Sequence, residues 1–111
     1  MTKENMAKIE EIAFEIISTA GDGRIKVKLA LKEARRGNFG DAKDLLKEAD
    51  QFILKAHEIQ TNELLGRQAR GEFSEPYSPI IAHAQDYIMT TMDFKEVAEE
   101  IVNLYAKILA I

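Results

Sequence analysis

Cysteine and tryptophan are absent from the chain, and proline and histidine occur only twice each. Without cysteine there is no disulfide, no thiolate zinc site and no thiol nucleophile, a composition that fits a reducing cytoplasm. Positive charge is not in excess: 15 basic against 19 acidic side chains leave a net charge of −4. No basic cluster is interleaved with aromatics, so nucleic acid is not an expected partner. No apolar run approaches the roughly 20 residues needed to cross a bilayer. The opening Met1-Thr2-Lys3-Glu4-Asn5 is polar, unlike a signal peptide. What remains is a short, soluble-type chain whose 111 residues are expected to form one domain, 1–111.

No run alternates apolar and polar residues as a half-buried strand does, and the apolar spacing is helical throughout. Two breaks divide the chain. In Arg36-Gly37-Asn38-Phe39-Gly40-Asp41, Gly37 suits a left-handed C-terminal cap and Asn38 an N-cap. In Gly71-Glu72-Phe73-Ser74-Glu75-Pro76-Tyr77-Ser78-Pro79, Ser78 and Pro79 read as N-cap and first helical residue. The pattern predicts an all-α, antiparallel three-helix bundle with long helices over about 3–36, 39–70 and 78–109. Gly21-Asp22-Gly23 interrupts the first helix, yet Ala20 and Val27 keep the apolar phase across it. One helix with a bend is expected there, with helix–loop–helix as the alternative.

The last helix carries a row at alternating four- and three-residue steps: Ile80, Ala84, Tyr87, Thr91, Phe94, Ala98, Ile101, Tyr105 and Ile108. A second row of Ile81, Ile88, Val102 and Leu109 runs beside it, broken by Lys95. Two rows exceed what one neighbouring helix requires, so this helix is expected to pack beyond its own bundle.

Chemistry concentrates on the same helix. His83 and Asp86 lie at i and i+3 and share a face. A neutral imidazole, with an ordinary pKa of about 6.5, is a good phosphoryl acceptor near pH 7. Asp86 sits among Ala82, Met89 and Val97, an unusual setting for a solvated carboxylate. If copies of that face meet, the converging carboxylates need a proton or a hard cation such as Mg²⁺ between them. The other histidine, His57, and the Asp22/Arg24 pair read as structural, since no phosphate-loop motif accompanies them.

Three segments together resemble the lactose/cellobiose-type enzyme IIA proteins of the bacterial sugar phosphotransferase system. They are 18–24 (Ser-Thr-Ala-Gly-Asp-Gly-Arg), 36–61 from Arg36-Gly37-Asn38-Phe39 to Ala56-His57-Glu58-Ile59-Gln60-Thr61, and 83–90 (His-Ala-Gln-Asp-Tyr-Ile-Met-Thr). The resemblance implies a single domain of that type, assembled as a homotrimer. It implies that His83 is transiently phosphorylated by the histidine-containing phosphocarrier protein and passes the group to a cysteine of the cognate enzyme IIB. Uptake of a β-linked disaccharide would follow through the membrane enzyme IIC. Asp86 matches an aspartate on the trimer axis, where three copies share one divalent cation, commonly Mg²⁺, and Gln85 matches a residue near the phosphoryl group.

The family usually has a second histidine directly after that aspartate. Here the place is Tyr87, which can donate a hydrogen bond but carries no titratable positive charge near neutral pH. Gly23 also stands where alanine is common. Two other classes compete with this reading. A histidine phosphotransfer domain of two-component signalling is also helical, but it usually has lysine where this chain has Asp86. In a non-catalytic helical adaptor the apolar seam would be the function. Around a carrier histidine an apolar docking surface is expected, with Phe73, Tyr77, Ile80 and Ile81 as candidates.

Overall fold

The first helix, α1 (Lys3–Arg35), starts where the Thr2 hydroxyl accepts a hydrogen bond from the Asn5 amide at 3.1 Å. It then runs without a break through Gly21-Asp22-Gly23 in the computed structural model, which describes residues 2–73 and 78–110. Gly37 ends it in a left-handed conformation (φ 87°), and the Asn38 amide reaches back to the Glu33 carbonyl at 2.9 Å. Asn38 occupies the N-cap of the next helix, α2 (Phe39–Ile59), but its side chain donates to Glu33 Oε2 at 2.8 Å instead of capping. A tight antiparallel hairpin results.

α2 does not continue as a regular helix to residue 70. From Gln60 to Leu65 the chain widens into one π-helical turn, followed by the short α3 (Gly66–Ala69). The cause is visible in the apolar row: Ala42, Leu45, Ala49, Phe52, Ala56 and Ile59 step by three and four, then Leu64 comes five residues on. A wider turn keeps Leu64, which is buried, over the core. Arg67 ties off this end, pairing with Glu72 at 2.7 Å and lying over the Phe73 ring at 4.7 Å. Residues 74–77 of the second predicted break, Tyr77 among them, lie outside the described residues. The chain returns as α4 (Pro79–Leu109), with Ser78 at the N-cap and proline in the first turn.

Two apolar clusters fill the three rods. One gathers Ile9, Ile12, Ile16, Leu64, Phe73, Ala84 and Ile88; the other gathers Val27, Ala30, Ala34, Ala42, Leu46, Ala98 and Val102. The many alanines bring the helix axes close, and Gly23 allows the tightest approach. A Cβ there would stand 3.2 Å from Ile53 Cγ1 and 3.3 Å from the Ala49 carbonyl. Between the clusters lies a polar waist formed by Arg24 and the fully buried Thr91.

Both apolar rows of α4 turn out to face the bundle, and they emerge only at Ile108 and Leu109 in the last turn. Within one subunit both rows are taken up largely by the bundle. Members of both rows join each apolar cluster, alongside residues of α1 and the α2 rod. The open face of α4 is a third stripe: Asp86, Met89, Asp93, Val97, Glu100 and Leu104. Its apolar members Met89, Val97 and Leu104 are 64, 56 and 56 % exposed.

Candidate functional site

His83 lies in the second turn of α4, exposed, at the border between the open stripe and the face that packs on α1. Ala84 next to it is fully buried, so the backbone under the imidazole is anchored while the ring is free to meet a partner. One turn on, Tyr87 meets the ring edge to face, with centroids 6.1 Å apart and planes at 86°. Tyr87 is half-buried, and its hydroxyl lies on the α1 side, 3.5 Å from where a Cβ on Gly21 would stand. Its ring, and not its hydroxyl, is therefore the part set against His83.

Arg24 of α1 completes the arrangement. Its guanidinium carbon stands 4.6 Å from the Tyr87 ring centroid and 5.8 Å from that of Phe94. Nε donates to Thr91 Oγ1 at 3.2 Å, and Nη2 donates to Thr90 Oγ1 at 2.9 Å and Thr91 Oγ1 at 3.0 Å. The Thr91 hydroxyl in turn donates to the Tyr87 carbonyl at 2.6 Å. The sequence reading grouped Arg24 with Asp22 and missed this role. The signal was thin: its partners lie 66 and 67 residues further along the chain.

Asp86 is exposed and shares the open stripe with Met89, as the i, i+3 spacing requires. Among the described residues no three His, Cys, Asp or Glu side chains gather as a metal site would. One chain thus presents a single carboxylate where a hard divalent cation takes about six oxygen ligands. The residues of an isolated subunit do not by themselves fit Mg²⁺. Gln85 is half-buried and lies two residues from His83, on the far side of the helix. Within one subunit the two side chains do not converge.

One expected docking residue, Phe73, is corrected. Phe73 is 3 % exposed, held in the core under Arg67, and Ile80 and Ile81 pack half-buried against the same cluster. Each supports the start of α4 from within. His57 is exposed on α2, with Thr61 Oγ1 3.5 Å from its Nδ1, and belongs to a different element from His83. No helix is long and apolar enough to cross a membrane among the described residues.

Comparison with known proteins places this geometry. Residues 11–106 match the family model of the PTS system lactose/cellobiose-specific IIA subunit. The lactose-specific EIIA component of Staphylococcus epidermidis is 39 % identical over 103 residues, covering 93 % of this chain and 97 % of that one. The crystal structure of the cellobiose-specific enzyme IIA of Bacillus anthracis superposes with a TM-score of 0.84 at 36 % identity, over 99 % of this chain and 94 % of the other. The IIA(chitobiose) subunit, solved in its complex with HPr from the N,N'-diacetylchitobiose branch of the Escherichia coli phosphotransferase system, is 30 % identical. It superposes with a TM-score of 0.77 over 89 % of this chain and 94 % of the other. The chain belongs to the lactose/cellobiose-specific IIA family of the sugar phosphotransferase system.

Proposed function

We propose that the protein is a cytoplasmic phosphoryl carrier that accepts phosphate on His83 from the histidine-containing phosphocarrier protein. It then passes the group to a cysteine of its enzyme IIB, for uptake of a β-linked disaccharide through enzyme IIC. The exposed His83 imidazole on an anchored helix, in a chain of this family, is the observation that carries the reading. The Escherichia coli relative, solved in complex with HPr, supports the choice of donor.

In each transfer one phosphorus bond breaks as another forms. The donor's P–N bond gives way to a P–N bond at His83, and that bond then gives way to a P–S bond on the acceptor thiolate. Such reactions depend on alignment and charge stabilisation more than on covalent chemistry. His83 would attack in line through Nε2. In the second turn of α4 the helix dipole contributes only weakly. Donors to the phosphoryl oxygens would then come from a docked partner or from an adjacent copy's Gln85.

The same reading makes the working form a homotrimer that meets along the open stripe of α4, with the Asp86 carboxylates sharing one Mg²⁺. The ion would neutralise converging carboxylates and take no part in transfer.

The test is incubation with the purified upstream phosphotransferase proteins and labelled phosphoenolpyruvate, followed by mapping of the modified residue. Wild type and His57→Ala should be labelled at position 83, and His83→Ala not at all. Full labelling of His83→Ala would sink the assignment.

A further inference from the structure

Phosphoryl carriage by His83 leaves one well-ordered cation without an assigned role. The ion pairs among the described residues engage Lys26, Arg36, Arg67, Arg70 and Lys95, but no carboxylate pairs with Arg24. Its guanidinium is instead fixed by two threonine hydroxyls and stacked on Tyr87. A brace between α1 and α4 needs none of this specificity, since the apolar clusters on either side already join them. Hydroxyls and an aromatic face hold a guanidinium in one plane without neutralising it. Tyr87 is thereby held at two points: by Arg24 over its ring and by Thr91 at its carbonyl. The ring also packs against the apolar cluster around Ile16 and Ile88, and it meets His83 edge to face.

We propose that Arg24 is a positioning residue for phosphoryl carriage, clamping Tyr87 so that its ring holds the His83 imidazole in one orientation. The clamp supplies a fixed aromatic wall beside the His83 imidazole. In-line transfer is sensitive to such placement: an error of about 1 Å at the attacking atom can cost on the order of a hundredfold in rate.

The proposal rests on His83 being the carrier, and the experiment separates the two. Initial rates of phosphohistidine formation are measured against phosphocarrier concentration for wild type, Arg24→Gln, Arg24→Lys, Tyr87→Leu and the Arg24→Gln/Tyr87→Leu double variant. A small displacement of the imidazole is expected to lower the rate by roughly five- to tenfold. Arg24→Gln and Tyr87→Leu should each lose about that much at saturating donor with little change in KM. The double variant should be no slower than Tyr87→Leu alone, because both act through one ring. Arg24→Lys should recover part of the rate, keeping the charge but not the planar fork.

If wild type is not labelled on His83, the carrier reading itself falls. If wild type is labelled and Arg24→Gln runs at the wild-type rate, or the two losses multiply, the clamp is refuted. Should Arg24→Gln not fold, Tyr87→Leu decides alone, since it leaves Arg24 and both threonines in place. A wild-type rate in that variant overturns the proposal.

Discussion

Lys95 breaks an apolar row, and at the residue scale it shows what a charge on a buried face requires. Its ammonium bridges Asp50 of α2 and Glu99 one turn on, both at 2.7 Å, with the side chain 17 % exposed. Burial pulls its pKa down, but the hydrogen bonds and charges of Asp50 and Glu99 outweigh this, so the pKa is raised above 10.5. A raised pKa means that the bridge contributes fully below pH 10.5 and is lost as pH climbs through the higher folded-state value. Lys95→Met should therefore cost about 1 kcal/mol at neutral pH. In urea titrations the gap between wild type and variant should close above pH 10.5. A gap independent of pH would show that packing of the stem, and not charge, is responsible. At the same scale, His83 and Asp86 were legible from the sequence as a pair three residues apart on one face. Arg24 was not, because nothing local marks a guanidinium whose partners arrive on another helix.

At the scale of the element, the two glycines of α1 look alike in sequence and differ in surroundings. Both are helical, so replacing either with alanine gains up to about 1 kcal/mol of helix propensity. At Gly21 the new methyl would meet only the Tyr87 hydroxyl, at 3.5 Å, an ordinary contact. At Gly23 it would press on the Ala49 carbonyl and Phe52 Cβ, both at 3.3 Å, and on Ile53 Cγ1. Gly21→Ala should thus raise the urea midpoint, while Gly23→Val, too large for the gap, should lower stability by about 2 kcal/mol or more. Equal responses at the two positions would contradict the close α1–α2 approach. The continuity of α1 was readable because Ala20 and Val27 hold their phase across the glycines. The π turn of α2 was also written in the sequence, as the five-residue step from Ile59 to Leu64. It was passed over because a single odd step is easily absorbed into an otherwise regular row.

The whole molecule is a slat of 61 × 20 × 15 Å with a radius of gyration of 17.1 Å. A compact chain of this length would have about 13 Å. That shape leaves little interior per residue, and the exposed apolar side chains include Phe14, Ile25 and Leu54 on the other rods as well as Met89, Val97 and Leu104 along the open stripe of α4. Acidic Asp86, Asp93 and Glu100 alternate with Met89, Val97 and Leu104 along it, so copies can associate only if the acids are accommodated. Sedimentation should show a wild-type trimer that weakens when a chelator removes divalent ions, and an Asp86→Asn variant whose association ignores the chelator. A wild type that stays monomeric at every concentration would end the trimer reading. The sequence showed two apolar rows on α4 and, beside them, the Met89 and Val97 face around Asp86. Periodicity finds stripes, but only packing against α1 and the α2 rod tells which stripe is used up.

The waist also has a consequence for the order of folding. α1 and α2 close as a hairpin around Gly37 through contacts near in sequence, whereas α4 must return across the whole length of the chain. The Arg24–Thr91 contact, 67 residues apart, forms only when that last rod docks. A molecule caught short of that step, however helical, lacks the Arg24 contact on the ring beside His83. Correct placement of the imidazole is thus a late product of folding, and it reports that the process has finished.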